Sequence, residues 1–285
     1  MSMRPYVMGA LGLLLFLGLS PGASAQSCTD CHEIGAAFAS NRHLAGKAVD
    51  GAIPNAVCES CHGNGAAHIE GGGDTTKIVK PAGRAGADVC ASCHKVTDRK
   101  THAGMHANTE TVNCLTCHSV HKADAKAGHL LVKPELALCS SCHTAQAASL
   151  RNKPYGHRVG HGMECSSCHE PHGSAGWGSV KQTAAGEPAC VNCHAEKREP
   201  MAFEHGAKFV GGCMACHEQH GSNNPKQLKR ATVYQLCLEC HSPMSGETLG
   251  AQPPAFHNLS LTRYQNCLGC HVAIHGSNRS PHLLK

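Results

Sequence analysis

The sequence predicts a chain of mostly irregular loops with short α-helices and little or no β structure, laid out as an elongated row of repeated modules. Three observations carry this expectation. The 20 cysteines fall without remainder into ten Cys-x-x-Cys-His motifs. Glycine (31) and proline (14) are frequent, as expected of a backbone that turns tightly and often. Aromatic residues make up only 4% of the 285 residues, so side chains cannot supply the main apolar mass of a core.

The motifs come first because their spacing dictates chemistry. In the first half they are Cys28/Cys31-His32, Cys58/Cys61-His62, Cys90/Cys93-His94, Cys114/Cys117-His118 and Cys139/Cys142-His143. The second half adds Cys165/Cys168-His169, Cys190/Cys193-His194, Cys213/Cys216-His217, Cys237/Cys240-His241 and Cys267/Cys270-His271. Two thiols three residues apart share one face of a helical turn and can both add to the vinyl groups of one porphyrin. The histidine that follows delivers an imidazole to the iron as its proximal ligand. Each motif is therefore read as the attachment site of one c-type haem. A redox dithiol, a zinc site or a disulfide could explain one Cys-x-x-Cys, but not ten that are all followed by histidine. The fold class expected is a multihaem cytochrome c with ten covalent haems. With roughly 26 mature residues per haem the porphyrins must form the core, and the chain should not fold without them.

The N-terminus reads as an export signal over residues 1–25. Arg4 supplies a positive start, an apolar stretch runs from Val7 to Leu19, and Pro21-Gly22 precede the small-x-small cleavage site Ala23-Ser24-Ala25. The apolar run falls short of the roughly 18 residues expected of a membrane span. No lipobox precedes Cys28, whose thiol is assigned to a haem. Periplasmic export is expected, with residues 26–155 forming an N-terminal half that carries haems 1–5 and residues 156–285 a C-terminal half that carries haems 6–10. The formal net charge of +5 ignores the cofactors. Two propionates per haem bring the mature protein to about −6 oxidised and about −16 reduced, so no nucleic-acid partner is expected.

A two-haem period sorts the remaining histidines. His106, His157 and His205 each stand eight residues before the even-numbered motifs at Cys114, Cys165 and Cys213, and His257 stands ten before Cys267. His121, His172 and His220 come three residues after the proximal histidine of the same motifs, and His275 comes four after. Three of them open a His-Gly-Ser turn (172–174, 220–222, 275–277). In the looser first module His43 and His68 occupy the matching places. Recurrence in one register argues for one repeated supersecondary unit. The distal iron ligands expected are therefore His43, His68, His106, His121, His157, His172, His205, His220, His257 and His275, making all ten haems bis-histidine. His102, His129, His161 and His282 are left over, and an exchange within the pairs 102/106 or 157/161 stays open. A histidine three positions from a proximal ligand cannot reach the far side of the same haem. His121, His172 and His220 are thus expected to serve a neighbouring haem, whose identity the spacing does not reveal. Lys80, Lys133, Lys181 and Lys229 recur before motifs 3, 5, 7 and 9, as solvated residues or propionate partners.

An iron held by two histidines has no position for substrate. The chain also lacks the Cys-x-x-Cys-Lys variant found at the catalytic haem of multihaem nitrite reductases. Electron transfer, not catalysis, is expected. Ten motifs on a short exported chain, with Cys-His-Glu-Pro-His-Gly (168–173) and Cys-His-Glu-Gln-His-Gly (216–221), resemble the MtrA/DmsE-type decahaem cytochromes. That resemblance implies an elongated protein threaded into an outer-membrane β-barrel porin. It also implies periplasmic or inner-membrane electron-donor cytochromes on one side and an outer-surface multihaem cytochrome or terminal reductase on the other. Metal reduction, iron oxidation and similar respirations fit the same wiring. The alternative reading is a soluble periplasmic multihaem carrier or store without a porin.

Overall fold

The computed structural model describes residues 27–33, 36–39, 41–44, 53–94, 106, 110–123, 128–174, 176–198, 200–241 and 261–284. The export signal, His102 and His257 lie outside the described residues. Regular structure consists of short α-helices and single 3₁₀ turns. They are α1 (Ala36–Ala39), α2 (Asn55–His62), α3 (Ala66–Glu70), α4 (Gly83–Ala91), α5 (Cys114–Cys117), α6 (Glu135–Ser140), α7 (Thr144–Asn152), α8 (Ala207–Gly211) and α9 (Val233–Leu238). Pairing between strands is reduced to isolated bridges. This is the loop-rich architecture that the composition predicts.

The motifs themselves make the helical turns. In nine of them the histidine N–H donates to the carbonyl of the first cysteine, at 2.9–3.1 Å, from His32 on Cys28 to His271 on Cys267. The tenth, Cys58–His62, lies wholly inside α2. Motifs 3, 5 and 9 end the helices α4, α6 and α9, where residues upstream can run on into the turn. Motifs 1, 6 and 7 follow extended residues, motifs 8 and 10 follow a helical segment, and all five close 3₁₀ turns. Polar caps set several starts. Asn113 accepts from the N–H of Leu115, and Thr232 from that of Gln235. Pro134 precedes α6 and Gly63, at φ +71°, ends α2.

After motifs 4, 6 and 8 the chain loops out and returns through one antiparallel bridge to the proximal histidine: His118 with Leu131, His169 with Val180, and His217 with Leu228. After motifs 6, 8 and 10 comes the His-Gly turn. Gly173, Gly221 and Gly276 have φ of +102°, +109° and +124°, which a side chain would strain, and this explains the recurring glycine. Two longer bridges lock distant segments together, Tyr155 with Ser222 and Phe203 with Ser277.

The buried apolar residues are few and mostly small: Phe38, Leu44, Ala87, Ala147, Ala189, Val191 and Leu283. Among the described residues no large side chain is fully buried. Such a set cannot hold a chain of this length together through apolar contact. No helix among the described residues is long and apolar enough to cross a membrane.

Candidate haem-binding sites

Beyond the Cys-x-x-Cys-His turns, the fold brings histidines face to face in pairs. His32 lies opposite His68 with ring centres 6.1 Å apart, and His43 opposite His94 at 5.7 Å. His62 faces His121 at 6.0 Å, His106 faces His143 at 5.8 Å, and His118 faces His172 at 6.1 Å. His157 faces His194 at 6.4 Å, and His169 faces His220 at 5.9 Å. His205 faces His241 at 6.1 Å, and His217 faces His275 at 6.2 Å. Every pair joins one motif histidine to one of the distal candidates. Rings in van der Waals contact would stand closer. Metal–nitrogen bonds of about 2 Å on either side of one iron put two axial ring centres roughly 6 Å apart. The residues present therefore fit a haem iron between each pair. The remaining motif histidine is His271, and the remaining candidate, His257, lies outside the described residues.

The pairing follows a rule that the spacing left open. At each junction between modules the exchange is reciprocal. His43 of the first module faces motif 3, while His121 of the second faces motif 2. The same trade links His106 and His172 with motifs 5 and 4, His157 and His220 with motifs 7 and 6, and His205 and His275 with motifs 9 and 8. The two lending segments also bond to each other. His106 Nδ1 lies 3.1 Å from the carbonyl of Pro171, His157 Nδ1 3.4 Å from that of Gln219, and Asn41 Nδ2 donates to Val120 at 2.8 Å. Each acceptor directly precedes the histidine being lent the other way. His68 alone among the observed pairs serves its own module.

Backbone carbonyls orient the rings. Nδ1 of His62, His118, His169, His217 and His271 lies 2.7–2.9 Å from the carbonyls of Val79, His129, Gly178, Lys226 and His282. These are the proximal histidines of motifs 2, 4, 6, 8 and 10. An Nδ1–H held this way leaves Nε2 as the lone-pair nitrogen for a metal. His129 and His282 thus contribute a carbonyl, a role the sequence reading missed. The recurring Leu-Leu-Val-Lys and Leu-Leu-Lys segments beside them were its trace. Non-glycine residues adopt left-handed backbone here, with φ of +46° and +57° at His129 and Leu130 and +57° and +56° at Lys226 and Gln227. Held against steric preference, they turn the carbonyl inward. The recurring lysines serve through their backbone too: Lys181 and Lys229 donate N–H to the carbonyls of Cys168 and Cys216. Phe38, nearly buried, packs on His121 with ring centres 4.9 Å apart. Burial holds His118, His121, His205, His220 and His275 below the ordinary imidazole pKa, favouring the neutral ligand form.

The cysteines line up as well. The first cysteines of paired motifs meet: Cys28 with Cys58, Cys90 with Cys114, Cys139 with Cys165, Cys190 with Cys213, and Cys237 with Cys267. As thiols, Cys190 and Cys213 share a hydrogen bond that pushes Cys190 up and Cys213 down to about 6. Between pairs, Cys61 lies near Cys90, Cys117 near Cys142, Cys168 near Cys193 and Cys216 near Cys240, each close enough to raise its neighbour. Sulfur neighbours thus run from motif 1 to motif 10 in chain order without a break. Several links cross position 155, including Cys139 with Cys165 and His118 with His172.

Nine of the expected thioether positions are exposed on the polypeptide, one in every motif but the fourth. Among them are Cys31, Cys93 and Cys270, the second cysteines of motifs 1, 3 and 10. Each donates its backbone N–H to the first cysteine of its motif, to Cys28 at 3.4 Å, Cys90 at 3.2 Å and Cys267 at 3.3 Å. Both thiols therefore stay on one turn, as attachment to one porphyrin needs. The exposure has a physical reason: the chain has few large apolar side chains to cover a sulfur, and the mass expected around it is the porphyrin's.

Short loop-borne helical turns, each presenting two thiols and an imidazole opposite a second imidazole, define a multihaem c-type cytochrome. Residues 106–148, 157–199 and 205–246 match the family model described as a doubled CXXCH motif. Each matched stretch opens on a distal candidate, His106, His157 or His205, and includes the motif whose histidine it faces. The chain is 35% identical over 122 residues to the multiheme cytochrome MtrA of Shewanella baltica, covering 39% of this chain and 36% of that protein. It is 26% identical over 132 residues to the cytochrome c-type protein NrfB of Escherichia coli, covering 45% of this chain and 70% of that one. The chain is thus similar to multihaem c-type cytochromes over these stretches and spans about a third of the length of the MtrA relative.

Proposed function

We propose that this chain is a ten-haem, all bis-histidine electron-transfer protein that conducts electrons across the periplasm and outer membrane inside a β-barrel porin. The observation that carries the reading is the unbroken order of motifs from 1 to 10, each with sulfur neighbours in the next. One electron can occupy each iron in turn, and a continuous row lets it step along the chain. With an imidazole on both sides of every iron there is no place for a substrate, so the protein is not an enzyme.

The similarity to MtrA supports the porin partnership and the link between periplasmic donors and outer-surface cytochromes or reductases. Physical chemistry requires such a partner for any crossing. Irregular backbone cannot face lipid, because its N–H and C=O groups would be unsatisfied, and a closed barrel shields them. The export signal at residues 1–25 delivers the chain to the periplasm. The test is reconstitution. Liposomes carrying the cytochrome with its copurified barrel should pass electrons from an external reductant to an enclosed acceptor, and the barrel alone should not. A cytochrome that stays fully soluble beside its native membranes, with no barrel retained, would replace this reading with that of a periplasmic carrier.

A further inference from the structure

The five sulfur pairs along the row do not share one electrostatic setting. At the central pair the Glu135 carboxylate lies within 4.8 Å of both Cys139 Sγ and Cys165 Sγ. It is held there by Ser166, whose N–H donates to Oε1 at 2.6 Å and whose hydroxyl donates to Oε2 at 2.8 Å. A second carboxylate, Glu164, directly precedes Cys165, and its Oε2 is buried with no hydrogen-bond partner among the described residues. Such a cluster would suit a metal ion if both cysteines were free, but their sulfurs belong to the attachment motifs of haems 5 and 6.

The arrangement belongs to this pair. The place of Glu135, four residues before the motif, is taken by Gly86, Gly186 and Val233 at motifs 3, 7 and 9. The place of Glu164 is taken by Val57, Asn113, Gly212 and Asn266 at motifs 2, 4, 8 and 10. At the next pair the nearby charge has the opposite sign: Cys213 is held down first by its hydrogen bond with Cys190, and Lys208 adds to that. The hydrogen bond between Cys139 and Cys165 lowers Cys165 and raises Cys139; against the first both acidic groups act, and Glu135 adds to the second. Whatever negative charge these sulfurs feel, the porphyrin edge bonded to them feels also.

We propose that Glu135 and Glu164 hold haems 5 and 6 at a lower reduction potential than haems 7 and 8, making the middle of the row the last of these to accept electrons. Reduction adds one electron to an iron, and a fixed negative charge beside it disfavours that step. The consequence is an energetic rise at haems 5 and 6 for an electron passing to or from haems 7 and 8. The inference rests on the haem reading of the motifs.

Spectroelectrochemical titration of the intact holoprotein at neutral pH tests it. For Glu135→Gln combined with Glu164→Gln, about one-fifth of the haem absorbance change, that of two haems in ten, should move to higher potential. The other four-fifths should superimpose on the wild type. Glu135→Asp, which keeps the charge, should leave the wild-type curve. A double variant that titrates like the wild type, or one whose displacement spreads evenly over all ten haems, overturns the proposal. So does a variant that loses a haem or a low-spin iron, since these residues would then serve folding. Failure of the haem reading itself shows separately, as fewer than ten haems in the intact mass of the unmodified protein.

Discussion

His275→Ala should open the iron of motif 8, not that of motif 10 four residues upstream of the mutation. The His275 ring stands 6.2 Å from that of His217 with planes 16° apart, so it faces the motif formed by Cys213 and Cys216. Removing the ring leaves the backbone anchors intact. Ser277 and Phe203 exchange N–H···O=C bonds of 2.8 Å in both directions, and Lys208 Nζ lies 3.3 Å from the His275 carbonyl. The fold should therefore survive. The size of the effect follows from the pairing: one iron in ten changes, so a high-spin signal should appear with about one-tenth of the total haem intensity in magnetic circular dichroism. The position is settled by shortening the chain. Removing residues 233–285 deletes motifs 9 and 10 together with His275, and reciprocal exchange predicts eight haems of which one, at motif 8, is high-spin. Modules that ligated themselves would leave eight low-spin haems. An all-low-spin truncated protein, or a His275→Ala variant without a high-spin iron, would refute the exchange rule.

Three further outcomes follow from the same geometry. His157→Ala should yield one high-spin haem and His161→Ala none, because only His157 faces a motif histidine, His194; equal spectra for the two variants would show the assignment to be wrong. Gly221→Ala should destabilise the protein by about 1–3 kcal/mol in denaturant titration, since its φ of +109° resists a side chain and a Cβ would stand 3.1 Å from the Ser149 carbonyl. Acid should release distal ligands. His205, His220 and His275 are held below the ordinary value of 6.5, so their neutral-imidazole contribution is fully present above about pH 6.5 and is lost as pH falls through the lowered folded values. High-spin intensity should grow only on acidification, and growth on raising the pH from 6.5 would contradict the sign.

The sequence by itself determined the local chemistry. Two cysteines and a histidine in five residues can only present three ligating groups from one turn, and each motif does so through its own backbone bond from histidine to first cysteine. Composition likewise determined the loop-rich fold, because a chain so poor in aromatic residues has no core to impose long elements. The period of two motifs selected the distal histidines, since residues that repeat in register occupy equivalent places in equivalent units. What tertiary structure decided is who faces whom. His121 and His62 are 59 residues apart, and no local spacing says that a ring three residues past one motif will cover the motif two before it. Nor could side-chain identity reveal that His129 and His282 act through their carbonyls, because a carbonyl belongs to every residue and only backbone geometry aims it. Local covalent chemistry is written in neighbouring residues, whereas pairing across modules depends on how the chain returns, and that is settled only when the modules interlock.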